Sequence, residues 1–455
     1  MSARLSSDRS VREAYEADAS GLHLIPDLVA RPESIEEVAE ILRRATAERT
    51  PVTCAGAQTS TTAASIVDKG ILMSLRGLDG ISAVDEKMRT IRAGPGALVG
   101  DIKRAAAAAD LLFAPDPTSE EESTIGGAVA CNASGARTFK YGATRRHVSG
   151  IKVVMANGEL HEFRRSNLEK NTVGYAFAHD PIDWFIGSEG TLGVIVEAEL
   201  ALLPLPSQVV GLAIFFTAED EALEFVVAAR ESRDVKPRCI EYFDDKAVAI
   251  ARASTQGDGI PLHAAAMVYV EEEVMQNLDT TLERWVELIE SRAPDLDPMV
   301  FDGEARLREA RKLRHSIPSI MNERGSAQRE TGGRKVSTDW AVPYRDLGEA
   351  VRTARVLAAE SGIEQAVIYG HAGNGHPHQN FIARNPDELA TIERVVERTL
   401  REVIRLGGTV AAEHGIGKIK RKWLPLQMNA VQIAMMTAVK NELDPLGLLA
   451  PGNIL

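Results

Sequence analysis

Between residues 113 and 150 the chain shows no helical periodicity and is rich in Gly, Ser, Thr, Asn and Pro. An irregular stretch of that length is uncommon inside a compact domain unless it binds something. The flanking sequence is patterned. Upstream, Ile35, Val38, Ala39, Ile41, Leu42 and Ala45 recur at helical spacing after Pro32, which predicts an amphipathic helix over 33–49. Residues 51–54 read as a short strand running into the small-residue loop 55–60, and a strand within 90–100 leads to a helix over 101–110. Downstream, 151–155 is strand-like with a turn at Asn157-Gly158, and 184–196 is a strand-like run broken by three glycines. A proline-rich stop at 203–206 marks a boundary. Beyond it, strands over 209–216 and 264–270 alternate with helices over 219–230 and 280–292, and a helix over 388–406 closes a second α+β unit. The tail from Asp444 is turn-rich and is expected to pack against the first part of the chain.

A chain of 455 residues exceeds what one hydrophobic core supports, so at least two domains and a pocket between them are expected. The net charge of -13 argues against a nucleic-acid partner, whose phosphates select for clustered Lys and Arg. An anionic ligand must then find local positive charge. The first residues lack the apolar core of a signal peptide, and no apolar run is long enough to span a bilayer. A cytoplasmic protein is expected, with a peripheral place at the inner membrane left open. Cys54, Cys131 and Cys239 form no C-x-x-C pair and are too few for a disulfide framework or a Cys-ligated iron–sulfur cluster.

Four constellations carry chemistry. The first is a pair of small-residue segments, 55–60 and 123–135, the latter reading S-T-I-G-G-A-V-A-C-N-A-S-G. Small side chains let backbone N–H groups approach a pyrophosphate, and Thr59, Ser60, Ser123 and Thr124 add hydroxyls. The segments match neither G-x-G-x-x-G nor a P-loop, so a Rossmann nucleotide site is not expected. Either segment alone could merely make turns; two in one domain point to a nucleotide. The second constellation is 371–378, H-A-G-N-G-H-P-H, expected on an irregular segment at the end of a strand over 365–369. Three imidazoles so close suit zinc or another borderline divalent ion if a carboxylate joins them. The third, 409–418, is a strand-like run ending in Glu413-His414-Gly415-Ile416-Gly417. Glu413 could complete a two-His, one-carboxylate site, and His414, on the opposite side of an extended backbone, could be a general base. The fourth is basic: Arg311, Lys312, Arg314 and His315 on a helix, and Arg334 and Lys335 before a strand-like 336–342. Only one or two of these charges are expected in an anion site, the others being a solvated face.

In this order, Thr-Ile-Gly-Gly (124–127), Ile-Gly-Ser-Glu-Gly-Thr-Leu-Gly (186–193), 371–378 and Glu413 to Gly417 resemble the vanillyl-alcohol oxidase and p-cresol methylhydroxylase superfamily of FAD enzymes. The resemblance spans nearly the whole chain. It is closest to the branch of FAD-linked D-lactate dehydrogenases, the glycolate oxidase flavoprotein subunit and D-2-hydroxyglutarate dehydrogenase. It implies an α+β fold: a two-part FAD-binding domain of the p-cresol methylhydroxylase type over 1–206, an α+β substrate cap with an antiparallel sheet over 207–406, and a segment 407–455 returning to the FAD domain. By the same resemblance Gly56, Ala57, Gln58, Thr59 and Ser60 form the first pyrophosphate loop. Pro115, Asp116, Ser123, Thr124, Gly126, Gly127, Asn132, Ser134, Gly135, Tyr141, Gly142 and Thr144 form the second contact region, with Glu189 and Gly193 near the adenosine half. Some relatives attach FAD through a His in the first loop; none stands here, which implies noncovalent FAD. The metal ligands implied are His371, His378 and Glu413, for zinc or manganese. His414 matches the base, and Arg314, Lys335 and Asn380 match the substrate-carboxylate contacts. One departure stands out: the branch has Asp and then Gly-Asn between the ligand histidines, whereas Asn374 and Gly375-His376 stand here. The ligand spacing is intact, and the metal and the role of His376 are left open.

The reaction expected is oxidation of a small D-2-hydroxy acid, with an acceptor that is an electron-transfer protein, a quinone or oxygen; a homodimer is left open. Two rivals are a flavin-dependent transferase of the alkyl-dihydroxyacetone-phosphate synthase type, whose run of consecutive histidines is missing here, and a non-catalytic flavoprotein subunit, which would not need His371, His378, Glu413 and His414 together.

Overall fold

The computed structural model describes residues 5–175, 178–254, 257–292 and 297–455. The chain divides into two units, one comprising residues 1–135, 142–205 and 413–455, the other 136–141 and 206–412.

The first unit has two four-stranded sheets. One runs Leu5–Ser6, Leu28–Ala30, Ile71–Ser74, Val52–Ala55, and its last three strands are parallel. Parallel neighbours need a crossover. The helix Ile35–Glu48 links Leu28–Ala30 to Val52–Ala55, the parallel strands on either side of Ile71–Ser74, starting on the Ser34 side chain, which accepts the Glu37 N–H, and burying Val38, Ala39, Ile41, Leu42 and Ala45. The other sheet is antiparallel, in the order Thr90–Ala93, Val194–Ala201, Val148–Val154, Leu160–Arg164. The tail joins this unit as expected, since Val52 donates to the Leu448 carbonyl and Ala450 to the Val52 carbonyl.

The second unit is built on a seven-stranded antiparallel sheet in the order Met299–Asp302, Val209–Phe216, Ala266–Glu273, Pro237–Phe243, Val367–His371, His376–Ala383, Arg334–Ser337. Strands Val209–Phe216 and Pro237–Phe243 are buried on both faces; the first reads as an unbroken apolar run, whereas the second holds Arg238 and Glu241. Helices Asp245–Ala253 and Gly303–Ser326 close a core with Phe215, Phe243, Met267, Ile317 and Met321.

Several expectations require correction. The stretch 113–150 is not one irregular loop: it holds the helices Ile125–Cys131 and Thr138–Tyr141 and the start of the strand Val148–Val154. Glycines disfavour a helix at 125–131, but Thr124 caps it and Ile125, Ala128 and Val129 bury one face, so packing overrides propensity. The run 184–196 begins inside the helix Ile182–Phe185, and its strand starts only at Val194, because Gly187, Glu189 and Gly190 turn with positive φ. Residues 371–378 are a β-hairpin. The run 409–413 forms no strand beyond a single bridge between Thr409 and Ala341, and the strand expected over 336–342 is Arg334–Ser337.

Candidate active site

In the first unit the two small-residue segments lie against each other. A Cβ on Gly56 would stand 2.2 Å from Thr124 Oγ1, so only glycine fits between loop and helix. Gln58 takes the left-handed conformation (φ 57°), and its amide donates to the Tyr15 carbonyl. Ser123, which opens the second small-residue segment, and Ser188, in the 186–193 run, have buried hydroxyls with no hydrogen-bond partner. Unsatisfied buried hydroxyls are costly, and phosphate or ribose oxygens of a dinucleotide would satisfy them. Among the other expected contacts, the Asn132 side chain accepts the Arg145 N–H, Thr144 donates to the Ala133 carbonyl, and Asp116 is buried against Gly135. Gly193 packs on Val153 and Phe185. Tyr141 is in the second unit, where its hydroxyl donates to Glu273.

Glu189 accepts the N–H groups of Ile416 (2.6 Å) and Gly417 (2.8 Å). Burial pushes its carboxyl above the usual range against the pull of those two donors. Gly415 has φ +77°, and a Cβ there would meet Glu189 Oε1 at 2.5 Å. The glycines after His414 are therefore what lets this carboxylate tie the 413–417 segment down. Ser134 donates to Glu413 Oε2 at 3.3 Å, and His414 Nε2 is 3.4 Å from Glu413 Oε1. Glu413 and His414 thus lie beside a residue expected to contact the cofactor.

In the second unit, His371 ends one strand of the hairpin and pairs with His376, which starts the other. Alternation along that strand puts His376, His378 and Asn380 on one face. The ring centroids are 5.4 Å (371 to 376), 5.3 Å (371 to 378) and 4.7 Å (376 to 378) apart. One nitrogen of each ring lies within 4.8 Å of the other two. His371 Nδ1 is 2.7 Å from Glu241 Oε1, and Arg314 Nε is 3.7 Å from Glu241 Oε2. Burial pushes the Glu241 carboxyl up, but His371 and Arg314 outweigh it and hold it below the usual range. A carboxylate accepts from Nδ1–H and leaves Nε2 with its lone pair, the arrangement that orients metal-binding histidines. Lys335 donates to Asn322 Oδ1 at 2.6 Å, and burial pushes its ammonium down to about 8. The Asn380 side-chain oxygen is buried without a partner. Arg311 and Lys312 are exposed. Glu241 and Asp339, both buried beside the histidines, escaped the sequence reading. A buried Glu at 241 is legible only as an acid in a short strand whose other charged residue is Arg238.

A family model described as "FAD linked oxidases, C-terminal domain" matches residues 205–454, and one described as "FAD binding domain" matches 26–164. The chain is 30% identical over 97% of its length to the glycolate oxidase subunit GlcD of Bacillus subtilis (strain 168), covering 92% of that protein. It is 27% identical to a D-lactate dehydrogenase of Anaerostipes hadrus, with 94% and 89% of the two chains covered. Among solved structures, an alkyldihydroxyacetonephosphate synthase superposes with a TM-score of 0.74 at 17% identity, over 99% of this chain and 82% of that one. That likeness is one of fold. The chain belongs to the FAD-linked oxidases. It is an FAD-dependent oxidoreductase of the branch that holds the D-lactate and glycolate enzymes. No helix among the described residues is long and apolar enough to cross a membrane.

Proposed function

We propose that this chain oxidises a small D-2-hydroxy acid, of the D-lactate, glycolate or D-2-hydroxyglutarate type, to the 2-oxo acid with noncovalent FAD and a divalent cation. The observation that carries the reading is the series of half-buried Arg314 and buried Glu241 and His371 beside two further imidazoles. It pairs a cationic group suited to a carboxylate with nitrogen donors suited to zinc or manganese. His371, His378 and Glu413 are the proposed ligands of the cation. A cation held there would supply Lewis acidity toward the substrate hydroxyl, and FAD held by the small-residue segments would supply the hydride-accepting chemistry. Arg314 and Lys335 hold the substrate carboxylate, and Asn380 takes a donor of the substrate on its unpartnered oxygen. His414 takes the hydroxyl proton, at a cost in rate of about two to four orders of magnitude if it is lost. The absence of a histidine from 55–60 supports noncovalent attachment.

The test is a panel of D- and L-2-hydroxy acids with a dye acceptor, before and after chelation. Reduction by D acids that chelation abolishes and zinc or manganese restores is the expected result. Flavin reduction by no member of the panel would sink the reading.

A further inference from the structure

The turn that joins the two strands of the histidine hairpin, Ala372–Asn374, carries glycine at 373 and is followed by Gly375. Glycine has the most backbone freedom to lose, so such a turn does not hold its own shape. Its shape decides how His371 faces His376 and His378, because the two strands leave from its ends. The turn is gripped from outside. Val342 donates to the Gly375 carbonyl at 3.0 Å, and Arg230 Nη1 donates to the Gly373 carbonyl. A Cβ on Gly373 would stand 2.8 Å from Phe139 Cδ2 and 3.1 Å from Ile240 Cβ, so the turn is also pressed against a ring and a strand.

Arg230 is half-buried on the helix Glu219–Glu231, which is anchored by Ala222, Leu223, Phe225, Val226 and Ala229. Among the described residues no carboxylate pairs with it, and its neighbour Glu231 accepts from the Tyr344 hydroxyl and from Arg345. Its guanidinium carbon lies 3.9 Å from the centroid of the Tyr344 ring and 5.3 Å from that of Phe139. A partly desolvated cation without a counter-ion is costly, and ring faces offset part of that cost. A planar guanidinium lying over a ring meets a carbonyl in one fixed direction, which a lysine ammonium does not do.

We propose that Arg230 is a positioning residue of the metal site: through the Gly373 carbonyl it fixes the hairpin turn, and with it the angle at which His371 and His378 present their nitrogens to the cation. The inference rests on the metal-dependent reading above and extends it to a residue outside the ligand set.

The test uses the full-length flavoprotein, stripped of metal with its FAD retained. Arg230→Ala empties the slot between the rings, and Arg230→Lys keeps a charge without the planar fork. Flavin content and Tm are the folding controls, and Tyr344→Leu, which removes one wall of the slot, takes the place of a variant that does not fold. Zinc affinity is measured by competition with a chromophoric chelator, and cobalt(II) is added to read its ligand-field bands beyond the flavin absorption. The expected result is one ion per parent chain, zinc affinity lowered about 10- to 100-fold in Arg230→Ala, as for a group that orients a ligand, and a changed cobalt spectrum. Millimolar guanidinium, refilling the slot, should restore both, and Arg230→Lys should fall short of the parent. If the parent binds one ion and the variants keep its zinc affinity and cobalt spectrum, Arg230 does not position the site, while the reading of the function stands. A weakening that guanidinium does not reverse in a folded Arg230→Ala chain overturns the inference as well, because the loss then arises elsewhere. If the parent binds no ion at all, the metal-dependent reading falls and the role of Arg230 with it.

Discussion

Glu413 and His414 are neighbours with different proposed tasks, and their substitutions should separate. An amide oxygen is a poorer ligand than a carboxylate, so Glu413→Gln should weaken metal binding and lose activity that excess metal partly restores. His414→Asn should keep metal and FAD yet lower turnover by about two to four orders of magnitude. Metal content, flavin content and single-turnover flavin reduction distinguish the two, and near-normal reduction in both variants would remove the mechanism. Lys335 makes a pH prediction. Burial lowers its ammonium from the ordinary lysine range to about 8, so the cation is present below that pH and is lost as pH rises through it. KM for the hydroxy acid should climb above pH 8 while kcat changes less, since the charge would bind ground state and transition state alike. A KM flat between pH 7 and 9.5 would mean that Lys335 does not hold the carboxylate.

Helices with a clear apolar stripe were legible to within a few residues: Ile35–Glu48, Glu219–Glu231 and Pro386–Arg405 lie where their spacing puts them. The helix Ala430–Leu443 was not legible, because it buries no residue and so shows no stripe. Local pattern also misjudged 125–131, where Thr124 and the burial of Ile125, Ala128 and Val129 outweigh two glycines. That helix is packed against the 55–60 loop at Gly56, which yields a prediction for the pair of elements. Gly56→Ala would force a methyl to within 2.2 Å of Thr124 Oγ1 and push the segments apart. Flavin content per chain should fall well below that of the parent, measured by absorbance at saturating FAD, whereas full flavin occupancy would show that the two segments do not hold the cofactor together. The hairpin was likewise hidden: glycines and a proline at 373–377 read as irregular, and the pairing of His371 with His376 depends on the strand register.

At the scale of the whole chain, noncovalent FAD should be released by acid precipitation, with the yellow colour in the supernatant and a colourless pellet. Flavin retained on the denatured chain would contradict the reading of the 55–60 loop. Added FAD should also raise Tm, because a ligand that binds only the folded state stabilises it by mass action. The sequence by itself determined the kinds of chemistry available. Two small-residue segments, a triplet of imidazoles, an acid-imidazole pair and a few cations appear as residue types within short segments, and the net charge argued against nucleic acid. Tertiary structure decided the partners. Glu241 lies 130 positions before His371 and meets it at 2.7 Å, and Glu189 reaches the N–H groups of Ile416 and Gly417 from more than 200 positions away. Periodicity reports only which side of its own element a residue faces. Which distant acid arrives beside a given imidazole depends on strand order and register, and these are set by the packing of the whole sheet.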